Sequence, residues 1–89
     1  MILVVDHDPD VLDQARKILN SDRQVFLAST AAMALDMVPR LGFSVVLVDL
    51  DLPGDGYALI RKLHDQNPEL LIIGIKGGIN WDQRWAHST

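Results

Sequence analysis

The sequence has no cysteine, no cluster of basic residues and no apolar run approaching the roughly 20 residues that span a bilayer. The lack of cysteine excludes disulfides and thiolate metal sites, and it fits a reducing compartment. The lack of a basic patch, with a formal net charge of −4 at pH 7, argues against binding to nucleic acid phosphates. The chain of 89 residues therefore predicts one soluble, cytoplasmic domain, with neither nucleic acid nor membrane as a direct partner.

Glutamate is also nearly absent, because Glu69 is the one glutamate among 12 acidic residues. Aspartate disfavours helix interiors, but it caps helices, occupies turns and binds hard metal ions through its oxygens. The positions of the aspartates therefore indicate candidate capping, turn and metal-binding residues.

Four short apolar runs predict strands, at Ile2–Val5, Val25–Ala28, Val45–Val48 and Leu70–Ile73. Continuous apolar runs of this length are typical of parallel strands that are buried on both faces. Segments with helical spacing separate the four runs. The order β-α-β-α-β-α-β predicts an α/β fold with a doubly wound parallel sheet.

Start and stop signals bound the three predicted helices. Asp8 is expected to cap the first helix, which starts at Pro9 because proline suits the first helical position. The second runs from about Thr30 to near Pro39. The third runs from near Gly56 to Asn67-Pro68, where the residue before proline avoids the helical conformation.

Polar residues follow three of the predicted strands: Asp6 after the first, Asp49 after the third and Lys76 after the fourth. The carboxyl ends of parallel strands meet at one edge of the sheet, where ligands bind. Asp6 and Asp49 are expected on neighbouring strands about 5 Å apart, where two unpaired carboxylates repel each other. A divalent ion or Lys76 is the expected companion, although Asp49 could also be an ordinary turn residue before the Pro-Gly-Asp-Gly loop.

Three groups of residues occur in an order that is typical of a known family. The groups are Ile2-Leu3-Val4-Val5-Asp6 with Asp8-Pro9-Asp10-Val11, then Ala28-Ser29-Thr30 with Ala34-Leu35, and finally Val45-Val46-Leu47-Val48-Asp49-Leu50-Asp51-Leu52-Pro53. Together they resemble the response-regulator receiver domain, the aspartate-phosphorylated module of two-component signalling, over residues 1–76. The resemblance implies a flavodoxin-like receiver fold.

The resemblance also implies roles for individual residues. Asp49 would be the phosphoacceptor, which attacks a phosphohistidine on a sensor histidine kinase or phosphotransfer protein. Asp6, Asp49 and the backbone carbonyl of Asp51 would hold Mg²⁺, which supplies the charge neutralisation that phosphoryl transfer needs.

Two substitutions depart from the family pattern at this site. His7 stands where the family has a second acidic residue, and an imidazole is a poor Mg²⁺ ligand, so a weakened Mg²⁺ site is expected. His7 is then either a metal ligand or a solvated loop residue. Lys76 replaces the hydroxyl residue that follows the fourth strand, and it either pairs with Asp49 or is a surface lysine. The loop Pro53-Gly54-Asp55-Gly56 is also one residue shorter than usual.

The sequence also shows no counterpart of the fifth strand and fifth helix of the family, so a receiver fold without them is expected. Residues 77–89 are expected to form a C-terminal tail or the remnant of a fourth helix. The edge of the fourth strand would then be open to another chain, which predicts an oligomer, namely a homodimer formed through this edge and Trp81/Trp85.

Two alternatives to a working receiver remain open from the sequence. A degenerate pseudo-receiver would keep the scaffold and act as a phosphorylation-independent interaction or dimerisation module. A more remote alternative is a haloacid-dehalogenase-like phosphatase, with Asp49 as nucleophile and Asp51 as acid and base. Pro53 departs from the pattern of those phosphatases.

Overall fold

The computed structural model describes residues 1–19, 24–54 and 56–76. The elements, in chain order, are β1 (Ile2–Val5), α1 (Pro9–Leu19), β2 (Val25–Ala28), α2 (Ala31–Met37), β3 (Val45–Asp49), α3 (Gly56–Gln66) and β4 (Leu71–Ile75). None of the described helices is long and apolar enough to cross a membrane. The tail predicted over residues 77–89, with Trp81 and Trp85, lies outside the described residues, and the division at residue 76 stays a prediction.

The four strands form one parallel sheet in the order β2-β1-β3-β4. From β1 the chain moves outward to β2, then crosses back over β1 to β3 and continues to β4. The direction of winding therefore reverses between β1 and β3, and in such sheets ligands bind outside the carboxyl ends of the strands at this point. The predicted α/β fold with a doubly wound parallel sheet is confirmed.

Helices cover the two faces of the sheet because successive side chains of a strand point to opposite faces. On one face, Leu3 and Val5 of β1 pack with Leu59 and Leu63 of α3 and with buried residues of α2. On the other face, Ile2 and Val4 pack in a second cluster with residues of α1. The two central strands are therefore buried on both faces, as the apolar runs predict.

Local signals place the helix starts close to where they were predicted. Asp8 accepts a hydrogen bond from the amide of Asp10 at 2.9 Å, so it caps α1 as expected. Thr30 caps α2 and accepts a hydrogen bond from the amide of Met33 at 3.1 Å. The third helix begins at Gly56 as predicted.

The fourth strand, Leu71–Ile75, begins one residue after the start of the apolar run Leu70–Ile73 and continues beyond it, because Gly74 pairs opposite Val48 although it has no side chain. It ends just before Lys76, as predicted. The strand is not buried on both faces, however, so this part of the prediction is wrong. Leu71 is 56% exposed and Ile73 is 42% exposed, because β4 is the outer strand of the described sheet.

Gly56 brings the start of α3 into close contact with the end of β3. A Cβ atom at this position would lie 2.5 Å from the carbonyl oxygen of Asp49 and 2.9 Å from Cα of Leu50. Both are backbone atoms, so the helix would have to move. The helix start can therefore pack this closely against the strand that carries Asp49 only with glycine there.

We predict that Gly56→Ala lowers the free energy of unfolding by about 1–3 kcal/mol, because the added methyl group clashes with backbone. The measurement is equilibrium urea denaturation followed by circular dichroism. Gly42→Ala is the matched control, since a Cβ atom there would meet nothing within 4 Å. Equal losses of stability in the two variants would contradict this account of Gly56.

Candidate functional site

Asp6 and Asp49 lie side by side at the carboxyl edge of the sheet. Val5 and Val48 are register partners of the central strand pair, so Asp6, which follows β1, and Asp49, which ends β3, are neighbours. Asp6 is 3% exposed and Asp49 is 6% exposed. Two carboxylates are thus buried together at the point where the sheet topology reverses.

Backbone amides hold one oxygen of each carboxylate. The amide of Asp8 donates to Oδ1 of Asp6 at 3.0 Å, and the amide of Asp51 donates to Oδ1 of Asp49 at 2.9 Å. In both cases the chain turns immediately after the strand, which places the amide two residues later beside the carboxylate. These hydrogen bonds fix the carboxylates and partly replace the water that burial removes.

His7 is the basic side chain that contacts the pair. Its Nδ1 lies 2.8 Å from Oδ2 of Asp49 and 3.7 Å from Oδ1 of Asp6. Because an ionised carboxylate can only accept hydrogen bonds, Nδ1 donates in this contact with Asp49. The side chain of His7 is 49% exposed, so one side of the ring meets solvent while Nδ1 faces the carboxylates.

The environment raises the pKa values of Asp6 and His7. Burial is the main cause of the raised pKa of Asp6, with a further contribution from the charge of Asp49, while the hydrogen bond from the amide of Asp8 acts in the opposite direction. The hydrogen bond to Asp49 is the main cause of the raised pKa of His7. Both groups therefore hold protons more tightly than they would in water.

Lys76 follows β4, and its ammonium group forms no ion pair with a carboxylate of the described residues. Its backbone is nonetheless close to the site. Ile75 is the register partner of Asp49, and the carbonyl of Ile75 accepts a hydrogen bond from the amide of Leu50 at 2.8 Å. Among the described side chains, His7 rather than Lys76 is therefore the basic group in contact with the carboxylates.

Three of the predicted metal ligands offer donor atoms that lie within 4.8 Å of one another: Asp6, His7 and Asp49. The two carboxylates suit Mg²⁺, which prefers oxygen, whereas the imidazole of His7 does not. A carboxylate pair can still hold Mg²⁺ together with water, so the donor set fits Mg²⁺ in part. The role of the Asp51 carbonyl as a further ligand stays a prediction.

The contact between His7 and Asp49 is the feature that the sequence did not predict. Neither interpretation of His7, as a metal ligand or as a solvated loop residue, includes a hydrogen bond to a buried carboxylate. A signal was present, since His7 immediately follows Asp6 at the edge where β1 and β3 were expected to meet. A histidine at this edge lies beside the two carboxylates expected there, so a hydrogen bond to one of them follows.

Comparison with known proteins connects this geometry to a family. The family described as "Response regulator receiver domain" matches residues 2–82. The hydrogenase transcriptional regulatory protein HoxA of Cupriavidus necator is 31% identical over 77 residues, which cover 85% of this chain and 16% of that protein. The chain therefore spans a small part of this relative.

Solved structures show the same architecture. A CheY-like response regulator receiver domain protein from Methanospirillum hungatei matches with a TM-score of 0.82 and 30% identity, over 94% of this chain and 69% of that one. The receiver domain of NtrX from Brucella abortus has the same TM-score at 24% identity, over 97% of this chain and 92% of that one, and it supports the fold alone.

We expect His7 to titrate above its ordinary pKa of 6.5, and the pKa to return toward 6.5 in Asp49→Asn, which removes the negative acceptor. The measurement is a pH titration of the ring resonances by NMR, with His7 assigned through a His7→Asn variant. An unchanged pKa of His7 in Asp49→Asn would contradict the described hydrogen bond.

The raised pKa of His7 also makes the free energy of unfolding depend on pH. A raised pKa in the folded state means that His7 stabilises the fold fully below its unfolded pKa of 6.5, and that this contribution is lost as the pH rises through the folded pKa. We therefore expect the free energy of unfolding to fall more steeply in the wild type than in His7→Asn as the pH rises from 6.5 through the folded pKa. Urea denaturation at a series of pH values measures this.

Proposed function

The chain belongs to the response regulator receiver domain family, and from this premise we propose that it is a receiver module of a two-component phosphorelay with Asp49 as its phosphoacceptor. One observation carries the proposal: Asp49 ends the central strand β3 at the carboxyl edge, with the buried carboxylate of Asp6 beside it. A phosphoryl group on Asp49 would meet the loops that follow β1, β3 and β4, which is where a change of charge can be transmitted.

The proposed step is a phosphoryl transfer between a phosphohistidine and a carboxylate. An oxygen of Asp49 forms a bond to phosphorus while the bond from phosphorus to the imidazole nitrogen of the donor breaks, and the donor imidazole leaves. Oδ1 accepts from the amide of Asp51, so Oδ2, whose partner is the half-exposed His7, is the oxygen that can be freed for attack. The product is an acyl phosphate on Asp49.

Neutralisation of charge is what such a transfer requires of its surroundings. Mg²⁺ would be held by Asp6, Asp49 and the backbone carbonyl of Asp51, and when bound it supplies this neutralisation. The binding is expected to be weak because His7 replaces a carboxylate. Lys76 would supply positive charge to the phosphoryl group, since its backbone is adjacent to the partner of Asp49 in β4.

The partners follow from the proposed chemistry. A sensor histidine kinase or a phosphotransfer protein would donate the phosphoryl group. The relative from Cupriavidus necator is a transcriptional regulatory protein by name, and this chain covers 16% of it. That this chain does not itself bind nucleic acid stays a prediction. Its cytoplasmic location stays a prediction as well. Membership of the receiver domain family argues against the haloacid-dehalogenase-like phosphatase.

A second candidate function is the degenerate pseudo-receiver, and the contact of His7 with Asp49 favours it. The hydrogen bond at 2.8 Å occupies the oxygen that would attack phosphorus. Nitrogen at the metal site also weakens the binding of Mg²⁺. In this candidate the fold presents an interaction surface that does not depend on phosphorylation.

We predict that incubation with acetyl phosphate and Mg²⁺ adds one phosphoryl group to the wild type and none to Asp49→Asn. The reason is that acetate can leave as the Asp49 oxygen bonds to phosphorus, whereas an amide is not a competent nucleophile. Intact-mass spectrometry measures the addition. Asp65→Asn is the matched control, because it removes an exposed carboxylate of α3 that is not part of the site.

The assay also separates the two candidates. Labelling of the wild type at Asp49 establishes the phosphoacceptor. An unlabelled wild type, tested with acetyl phosphate and with histidine kinases as donors, contradicts it. A His7→Asp variant that becomes labelled while the wild type does not would assign the pseudo-receiver and identify His7 as the block.

We further propose a homodimer through β4, as the open strand edge predicts. Two large exposed hydrophobic side chains, Leu71 and Ile73, lie on this strand, and within the described residues β4 pairs with β3 alone. A second copy could add its own β4 to this edge and cover both side chains. The contribution of Trp81 and Trp85 falls outside the described residues.

We predict that the wild type elutes as a dimer at micromolar concentration and that Ile73→Lys shifts it toward the monomer, because a buried lysine at the new interface is unpaired. Size-exclusion chromatography with light scattering gives the mass. Met33→Lys is the matched control, since Met33 is a similarly exposed large hydrophobic residue on α2. A monomeric wild type, or equal effects of the two variants, would contradict the proposal.

A further inference from the structure

The donor set of Asp6, His7 and Asp49 differs from an all-oxygen site in one atom, Nδ1 of His7. This nitrogen decides which metal ions the site suits. The carboxylates offer oxygen, and His7 offers Nδ1, which points toward both of them at 2.8 and 3.7 Å. Ions of the first transition series accept imidazole nitrogen readily, whereas Mg²⁺ and Ca²⁺ prefer oxygen. The identity of residue 7 therefore bears directly on metal selectivity.

We infer that Asp6, His7 and Asp49 form a binding site for a divalent transition-metal ion of the Zn²⁺ class, which the protein binds in preference to Mg²⁺. The site shares its carboxylates with the proposed phosphoacceptor, but the binding of the ion does not require phosphorylation. The two proposals can therefore fail independently.

Two of the three separations between the donor atoms are close to those around one tetrahedral ion. Two ligand atoms at about 2.0–2.1 Å from zinc in tetrahedral geometry lie about 3.3 Å apart. Nδ1 of His7 is 2.8 Å from Asp49 and 3.7 Å from Asp6, which brackets that value. To bind the ion through Nδ1, the ring of His7 would carry its proton on Nε2 instead.

The burial of the carboxylates supplies a second, independent reason to expect an ion. Both carboxylates are more than nine-tenths buried, and each accepts one backbone amide, which satisfies only part of its capacity. Buried charges in proteins are paired or bound to metals. Among the described residues, His7 is the basic group in contact with this pair, and even when protonated its single charge neutralises at most one of the two carboxylates.

The orientation of the ligands is already fixed by the fold. The amides of Asp8 and Asp51 hold Oδ1 of Asp6 and of Asp49, respectively. Hydrogen bonds of this kind orient metal-ligating carboxylates, and their loss typically lowers metal affinity 10–100-fold. The solvent-exposed side of His7 gives an ion a route to the site from water.

The test is isothermal titration calorimetry of the untagged protein with Zn²⁺ alone and with Mg²⁺ alone, at one pH and without a phosphoryl donor. We expect Zn²⁺ to bind one ion per chain and at least about 10-fold more tightly than Mg²⁺. His7→Asp converts the donor set to three carboxylates. It should lower the ratio of Zn²⁺ to Mg²⁺ affinity by at least about 10-fold.

Two further variants keep the test decisive. Asp49→Asn keeps the imidazole but removes an anionic ligand, so it should lower Zn²⁺ affinity by at least about 10-fold. His64→Ala is the matched control, because His64 is an exposed histidine of α3 away from the site, and it should change neither affinity. Circular dichroism verifies that each variant is folded.

The outcomes separate cleanly. A ratio of affinities that is the same in the wild type and His7→Asp overturns the inference, and so does a loss of Zn²⁺ binding in His64→Ala. Tight Zn²⁺ binding that depends on His7 and Asp49 supports it, whether or not Asp49 accepts a phosphoryl group in the separate mass assay. Labelling at Asp49 without selective Zn²⁺ binding leaves the proposed function standing and removes this inference alone.

Discussion

The carboxylates of Asp6 and Asp49 are buried side by side, and their surroundings must offset the repulsion between them. Donor atoms of Asp6 and Asp49 lie within 4.8 Å of each other, and two unit charges at that distance repel by about 3 kcal/mol at an effective dielectric constant of about 20. The pairing of β1 with β3 creates this arrangement, because it aligns the ends of the two most buried strands. Amide donors and His7 offset the repulsion in part, and the site remains able to take up positive charge.

The packing behind the site keeps the carboxylates where they are. Gly56 lets α3 contact the backbone of Asp49 directly, and Gly74 leaves room on β4 for the side chain of Leu50, whose Cδ2 would lie 2.8 Å from a Cβ atom there. Both glycines thus permit close approach around the residue that ends β3. Rigid support of this kind lets a site retain a repulsive arrangement that a flexible loop would relax.

Most of the fold could be predicted from the sequence, because its local signals agree with one another. Asp8 before Pro9 and the continuous apolar runs indicate the same parallel α/β order, and the alignment of Asp6 with Asp49 follows from that order. The exposure of β4 could not be predicted, since its apolar residues Leu71 and Ile73 give the same signal as those of a strand with a neighbour on both sides. The contact of His7 also escaped prediction, because it joins residues 42 positions apart and depends on where one exposed ring turns.

Competition for one oxygen atom links the proposed activities of the site. Oδ1 of Asp49 is held by the amide of Asp51, whereas Oδ2 is held by a ring that is half exposed and bound by a single described hydrogen bond. Release of His7 would break this hydrogen bond. A proton on Nδ1 therefore protects Asp49, and an ion that takes the place of that proton keeps His7 in the site as a ligand. Phosphoryl transfer instead requires Oδ2 to be free. The position of His7 thus decides the state of Asp49. Its Oδ2 is hydrogen-bonded to the protonated Nδ1, shared with a metal ion, or free to react.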